Sequence, residues 1–354
     1  MSGTSLDGAD AVVADFSGTS PRTLAFASVV FPDVLRAELL ALNTPGDNEI
    51  ARAALAANQL AAVYANATKA VLTQAGIAVH DVAAIGCHGQ TIRHRPDLAY
   101  TVQLNNPALL AELAGCSVVA DFRSRDVAAG GQGAPLAPLF HDGVFRSADE
   151  TRIVCNIGGI ANLTILAPGL PVRGFDCGPG NCLMDAWIQQ HLGTPYDSNG
   201  EWSRTGNVNT PLLARMLAMP WLASPPPKST GRDDFNAAWL AAQLAGNETP
   251  ADVQASLLAF TATTIAHHVE KHAADASRLI VCGGGAQNGA LLEALQLRVK
   301  AKVERSDLHG VPAGQVEALA FAWFAHCALT GKPLDATHIT GARHPNILGA
   351  IYPA

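Results

Sequence analysis

Short apolar runs alternate with longer amphipathic stretches along this chain, and the order of the first half returns in the second. Residues 11–16 and 24–31 read as β-strands, rich in Val, Ala and Phe. Residues 49–75 form an Ala-rich stretch that predicts one long helix. Two short apolar runs, 82–87 and 100–104, predict strands. Residues 107–114 predict a helix that opens on Pro107, a residue suited to the first helical position. Residues 117–120 are again strand-like. In the second half, 152–157, 162–166 and 172–175 are three β runs joined by Gly-containing turns, and 181–192 predicts a helix. Val253, Leu257, Phe260 and Val269 recur near the helical period within 250–273. A strand at 279–282, a helix at 288–299, a strand at 301–304 and a helix at 315–329 complete the chain. This repeat of order, without a residue-level repeat, predicts two related α/β lobes with a ligand cleft between them. The strongest break is Gly130-Gly131-Gln132-Gly133-Ala134-Pro135, which divides the chain into lobes of residues 1–130 and 131–354.

Four loops at expected strand ends combine Gly with small polar residues. They are Ser2-Gly3-Thr4-Ser5-Leu6-Asp7-Gly8, Asn156-Ile157-Gly158-Gly159-Ile160-Ala161-Asn162, Asp176-Cys177-Gly178-Pro179-Gly180-Asn181 and Cys282-Gly283-Gly284-Gly285-Ala286-Gln287-Asn288. Glycine lets backbone amides come close to an anion, and Ser and Thr add hydroxyl donors. One such loop is as well explained by a tight hairpin. Four, spread over both halves, point to phosphate binding, although neither the P-loop pattern nor the dinucleotide fingerprint is present.

Composition narrows the partners. The 354 residues are 49% hydrophobic and 15% charged, which excludes intrinsic disorder. With 23 Lys+Arg against 30 Asp+Glu, the formal net charge is −7, so a nucleic-acid coat is not expected. No apolar run reaches the ~18 residues of a membrane span, and no basic start leads into an apolar core as in a signal peptide. The seven cysteines are scattered and odd in number, a poor disulfide framework. Buried reduced thiols in a cytoplasmic protein are the expectation. Cys87-His88 also reads as a nucleophile with its neighbour or as two metal ligands, but adjacent strand residues face opposite ways. No His/Cys/Asp spacing resembles a zinc site.

The segments MSGTSLDGAD, IGCHGQTIRH, DFRSRD, GGQGAPLAPLFH, NIGGIANLT, GFDCGPGNCLMDAW, KSTGR, VCGGGAQN and EALAFAW occur in this order. Together they resemble the anhydro-N-acetylmuramic acid kinase family of the actin–hexokinase superfamily, over essentially the whole chain. The resemblance implies a two-lobed, ribonuclease H-like ATPase fold. It implies that ATP, Mg²⁺ and water are used to open the 1,6-anhydro ring of the amino sugar and phosphorylate its 6-oxygen, in peptidoglycan recycling. On the same basis, Gly3, Thr4, Ser5, Leu6, Asp7, Gly8, Ala9 and Asp10 correspond to an ATP phosphate loop. Asn156, Gly158 and Gly159 correspond to a second phosphate hairpin, and Gly283, Gly284 and Gly285 to an adenosine loop. Asp176 matches the catalytic base, and Glu317 an active-site carboxylate. His88, Gln90, Thr91 and Arg93 fall on the sugar side, with Arg93 suited to a carboxylate. Asp7 and Asp10 are candidates for water-mediated Mg²⁺ contact.

Structural readings stand beside these. Asp176 suits a helix cap, Glu317 a first-turn dipole partner, and Arg93 a surface charge. Arg123 and Arg125, beside Asp121 and Asp126, suit a salt network as well as ligand contact. His267 and His268 fall in an expected helix and read as structural. Another sugar kinase of the superfamily, or a nucleotide-dependent binding protein without catalysis, remains open, as does a homodimer. Three departures from the family pattern stand out: Ser124 replaces a basic residue, Asn105 replaces a glycine, and the strand expected ahead of MSGTSLDG lies outside this sequence.

Overall fold

The computed structural model describes all residues except Thr4, Ser5, Thr19, Ser20, Pro227, Ser229 and Arg232. The chain forms two compact units, Met1–Phe140 with Gln315–Ala354, and His141–Gly314. The first unit runs β1 (Gly8–Asp15), β2 (Arg22–Val30), α1 (Asp33–Ala41), α2 (Glu49–Ala75), β3 (Ile85–Gly86), β4 (Gln90–Arg95), β5 (Tyr100–Leu104), α3 (Pro107–Ala114), β6 (Val118–Ala120) and α4 (Ser124–Ala128). Helix α5 (Ala137–Phe145) carries the chain onward. The second unit holds β7 (Arg152–Ile157), β8 (Ile160–Leu166), β9 (Arg173–Pro179), α6 (Cys182–Leu192), α7 (Thr210–Leu217), α8 (Pro220–Ala223), α9 (Ala237–Ala241), α10 (Pro250–Ala273), β10 (Arg278–Cys282), α11 (Gly289–Gln296) and β11 (Lys302–Arg305). The chain then returns to the first unit as α12 (Val316–Leu329) and β12 (Ala350–Tyr352).

This return differs from the expected division at 130/131, which left the C-terminal segment, Glu317 included, in the second lobe. No local signal announces it. Helix α12 is buried on nearly every face, and it packs on β1 and β3, strands more than two hundred residues earlier.

The second unit is built on one sheet in the order β11-β10-β7-β8-β9. Strands β7, β8 and β9 form an antiparallel meander, while β10 and β11 join β7 in parallel. This order and these directions are those of the ribonuclease H-like fold. Helix α10 is its spine. Thr249 caps it by accepting from the Asp252 N–H at 3.2 Å, and Pro250 occupies its first turn. Leu257, Phe260 and Ile265 of α10 are almost fully buried. Its polar residues Ser256, Thr261 and Thr264 are buried too, and they serve neighbouring loops.

In the first unit, β1 pairs antiparallel with β2, β4 pairs with β5, and a separate sheet runs β12-β6-β3. Helix α2 packs along β1 and β2. Strand β3 is shorter than the expected 82–87, because only Ile85 and Gly86 pair with β6. Among the described residues, no helix is long and apolar enough to cross a membrane.

Gly86 shows how tightly α12 lies on β3: a Cβ there would sit 2.1 Å from the Phe321 carbonyl oxygen. Gly86→Ala is expected to destabilise the protein by about 1–3 kcal/mol through overpacking, lowering the urea midpoint at an unchanged slope. Gly76→Ala has open space around it and meets only the cost of its left-handed backbone, φ 67°, about 1–2 kcal/mol. Adding a bulkier side chain should widen the contrast: Gly86→Val should be worse than Gly86→Ala, whereas Gly76→Lys should match Gly76→Ala.

Candidate active site

In the second unit three of the four glycine loops meet. The turn between β7 and β8 is Gly158-Gly159, and its carbonyls are covered by the start of α6. Gly180 N–H donates to Gly159 O at 2.9 Å, Asn181 N–H to Gly158 O at 2.8 Å, and Cys182 N–H to Gly159 O at 3.1 Å. A Cβ on Gly180 would lie 2.2 Å from Gly158 O, so only glycine allows this contact. The loop after β10 closes on the same turn. A Cβ on Gly283 would lie 2.4 Å from Asn156 Oδ1, and one on Gly285 would lie 2.4 Å from the Ile157 side chain. Gly284 stays exposed. Asn181 Nδ2 donates to Ile157 O at 3.2 Å. The sequence places Asn181 at the end of the third glycine loop and at the start of a helix. It precedes α6, does not cap it with its side chain, and ties the loops together.

Asp176 does not follow its strand, as the apolar run ending at Phe175 suggested. Strand β9 continues through it to Pro179, because β8 supplies partners as far as Ile160. The half-buried side chain accepts from the Thr230 N–H at 3.0 Å, and the Asp176 N–H donates to Lys228 O at 3.2 Å. These bonds assign its contacts to the KSTGR segment rather than to a helix cap. Ser229 and Arg232 of that segment lie outside the described residues. Burial raises the Asp176 pKa above its ordinary value, while the Thr230 N–H and the Lys228 charge oppose the rise.

Lys228 is anchored by its tip. Its Nζ lies 2.9 Å from Leu222 O, 3.1 Å from His268 Nε2 and 4.2 Å from the Trp221 ring centroid. Burial and the neighbouring Lys228 charge push His268 down to about 3, so the ring is neutral and accepts from the ammonium. Helix α10 supports the other side of the loop: Thr261 Oγ1 donates to Gly180 O at 2.9 Å, and Thr264 packs against Gly178. Thr230, Lys228, Thr261 and Asn181 were not singled out from sequence as site residues. Lys228 and Thr230 lie in the KSTGR segment and Asn181 in the third glycine loop, but the bonds that give these residues their roles reach His268, Asp176, Ile157 and Gly180, which are remote in the chain.

The first unit gathers the other candidates. Gln90 is buried, and its Nε2 donates to Gly3 O at 3.2 Å, so it holds the N-terminal loop. Ser2, also buried, bonds Tyr64 Oη at 2.7 Å and Gly89 O at 3.3 Å. Leu6 and Ala9 are buried, Asp7 is exposed, and Gly8 and Asp10 begin β1 half-buried. Thr4 and Ser5 lie outside the described residues. His88 is buried beneath Phe321 of α12, with ring centroids 4.5 Å apart. Arg123 Nε lies 3.1 Å from His88 Nε2, and Arg123 Nη1 donates to Gly133 O at 2.7 Å. Burial and the Arg123 charge hold His88 neutral, far below its usual range. Burial brings Arg123 itself down to about 10, against the pull of Glu317 and Asp126. Glu317, exposed in the first turn of α12, is therefore in the electrostatic neighbourhood of Arg123.

Thr91 and Arg93 stand apart from this group. Thr91 Oγ1 accepts from Gln103 across the β4–β5 hairpin at 3.2 Å. Arg93 pairs with Glu49 at 2.7 Å and donates to the Leu42 and Ile92 carbonyls. Its guanidinium is thus engaged at the junction of α1 and α2, and the departure site Asn105 donates to the Cys87 thiol at 3.2 Å. Ser124 opens α4, where its N–H donates to Asp121 at 3.2 Å. All seven cysteines are buried, and none of them forms a disulfide. Among the described residues no cluster of three His, Cys, Asp or Glu side chains could hold a metal.

The fold and the converging loops define a two-unit α/β protein with a ribonuclease H-like sheet and glycine-built strand ends. The whole chain, residues 1–354, matches the family described as anhydro-N-acetylmuramic acid kinase, and it belongs to that family. An anhydro-N-acetylmuramic acid kinase from Cupriavidus pinatubonensis is 57% identical, covering 100% of this chain and 97% of the relative. One from Bordetella petrii is 56% identical, covering 100% and 95%. Among solved structures, the ADPNP-bound activator of the 2-hydroxyisocaproyl-CoA dehydratase from Clostridium difficile aligns with a TM-score of 0.44 at 11% identity, over 92% of this chain and 97% of that one.

A half-buried carboxylate with a raised pKa costs stability in its charged form. Asp176→Asn keeps an acceptor for Thr230 and removes the charge, so the variant should be the more stable at pH 7. The raised folded pKa means that the native protein binds the proton more tightly than the unfolded chain. The penalty is therefore absent below the ordinary value of 3.8 and grows as pH rises through the folded value. Denaturant melts across pH should show the two proteins converging in acid and diverging toward neutrality.

Proposed function

We propose that this chain is the ATP-dependent kinase that its family name describes, acting on 1,6-anhydro-N-acetylmuramic acid. The observation that carries this reading is the meeting of three glycine loops beside a half-buried aspartate with a raised pKa within one unit. Burial makes Asp176 a stronger base than a solvated carboxylate. In the proposed reaction Asp176 takes a proton from water, and the water oxygen bonds to the anomeric carbon as its bond to O6 breaks. O6 bonds to the γ-phosphorus, and the bond from phosphorus to the ADP oxygen breaks. The products are N-acetylmuramic acid 6-phosphate and ADP.

The residues have distinct tasks in this scheme. Amides of the 156–159 turn and the 283–285 loop face phosphate and adenosine. The loop of residues 3–10, held by Gln90 and Ser2, takes the remaining phosphate charge. Arg123 and Glu317 lie toward the sugar in this reading, with His88 setting the Arg123 guanidinium. The Asp7 and Asp10 carboxylates suit Mg²⁺, which keeps most of its waters and takes one or two carboxylates. When bound, the ion would neutralise charge on the phosphates.

Incubating the protein with ATP, Mg²⁺ and the anhydro sugar should give a product heavier by one water and one phosphoryl group. Phosphoryl addition without water would reject the reaction. Asp176→Asn should cut turnover by at least about 10²-fold with ATP binding retained; near-normal turnover would remove Asp176 from the role of base. Lys228→Met loses a charge that lowers the Asp176 pKa and loosens the segment carrying Thr230. The acid limb of its pH–rate profile should therefore move to higher pH.

A further inference from the structure

Residues 130–135, which read from sequence as the break between lobes, lie inside the first unit and are clamped there. The anchor is Asp126 of α4, a carboxylate with 0% exposure that the proposed reaction does not use. Its Oδ2 accepts from the Gly133 N–H at 2.7 Å, and its Oδ1 accepts from the Thr340 hydroxyl at 2.7 Å. Thr340 is buried too, and its carbonyl accepts from the Gln132 N–H at 2.9 Å. Three residues on, the Arg343 N–H donates to Ala129 O at 2.9 Å and Arg343 Nη2 to Ala128 O at 3.1 Å. The C-terminal segment is thus fastened to the loop from both sides of Asp126. Two of the glycines are required by this fastening. A Cβ on Gly131 would lie 2.3 Å from Asp126 Oδ2 and 2.7 Å from Thr340 Oγ1, and Gly133 has a left-handed backbone, φ 70°. A carboxylate buried this completely is costly, and the cost calls for a return beyond closing a loop.

Gly133 passes the constraint to Arg123. Its N–H is held by Asp126, and its carbonyl accepts from Arg123 Nη1 at 2.7 Å. On the other side of the guanidinium, Nε and Nη2 lie 3.1 and 3.0 Å from His88 Nε2. These contacts use three of the five guanidinium N–H groups and leave two for a ligand. Asp126 is also one of the two charges, with Glu317, that favour the protonated form of Arg123.

We propose that Asp126 and Thr340 form a latch that acts through Gly133 to fix the Arg123 guanidinium, so that Asp126 is a positioning residue of the reaction and residues 336–343 belong to its sugar side. The inference rests on the reading that Arg123 lies toward the sugar. A long arginine side chain loses rotamer freedom when it grips a ligand, and fixing it beforehand removes that cost from binding. Loss of the latch therefore weakens the hold on the sugar. The glycine loops of the second unit are held by contacts of their own, so the hold on ATP is kept.

Three variants of the full chain test it. Thr340→Val removes the hydroxyl donor at constant shape, Thr340→Ser returns it, and Asp126→Ala removes both bonds. Thr340→Val carries the test whether or not Asp126→Ala folds. Two quantities are read: hydrogen exchange at the Arg123 Nε–H by NMR, and the separate KM values for 1,6-anhydro-N-acetylmuramic acid and ATP. In Thr340→Val the Arg123 Nε–H should exchange at least about tenfold faster. The sugar KM should rise at least about fivefold, with kcat and the ATP KM unchanged. Thr340→Ser should match the parent in both, and folded Asp126→Ala should exceed Thr340→Val in both. Unchanged exchange in Thr340→Val would overturn the latch. A freed Arg123 with an unmoved sugar KM would overturn its role in binding, and KM values that rise together would make Asp126 merely structural. A parent chain that fails to turn over the sugar would reject the proposed reaction and the latch's part in it, while the exchange readout would still decide whether the latch holds Arg123.

Discussion

Backbone pressed on backbone at the strand ends of the second unit is the constraint on which the candidate site depends. Gly180 lies so close to the Gly158 carbonyl that any side chain would collide with it, and Gly283 and Gly285 lie equally close to Asn156 and Ile157. These contacts bring the β7–β8 turn, the start of α6 and the loop after β10 to one place. Gly180 rests on the main chain of Gly158, whereas Gly283 and Gly285 rest on the Asn156 and Ile157 side chains, so each loop's position is set by close contact with its neighbours. Asn181, bonded to Ile157 and beside Gly284, completes the junction. The phosphate role proposed for these loops would gain from this rigidity, because amides already in place need no reordering when an anion arrives.

Asp176 shows the opposing demand. Strand β9 carries it past the last apolar residue into a half-buried position, where its charge is disfavoured. The segment from Lys228 to Thr230 offsets part of that cost with one N–H bond and one nearby ammonium. Lys228 is in turn held by two carbonyls, a neutral histidine and an indole face. The carboxylate's pKa is thus kept above its ordinary value without the group being left unpaired. His268, which reads from sequence as a structural histidine, is structural in a specific way: it accepts from the lysine that tempers the aspartate.

The first unit is organised differently. Its sheet is divided, and α2 and α12 flank the cavity between the parts. The same α12 carries Glu317, stacks Phe321 on His88 and presses on Gly86. Position in this unit is therefore set largely by one C-terminal helix, and the N-terminal loop is held by Gln90 and Ser2 rather than by the sheet alone.

Local physics was readable from the sequence. Helices 49–75, 107–114 and 250–273 lie where their composition, Pro starts and periodicity place them. The three-strand meander and the glycine loops were legible for the same reason, since turns and short-range pairing are encoded by neighbours. The motifs also carried the family to the whole length of the chain. Tertiary structure decided the rest. Strand β9 runs on through Asp176 because β8 is there to pair with it, β3 is two residues long because it pairs only with Val118 and Val119 of β6, and Arg93 is tied to Glu49, far along the chain. The final helix joins the first unit because β1, β3, β6 and β12 of that unit pack against it. Each of these depends on a partner remote in sequence, and a partner's arrival leaves no mark in the residues that await it.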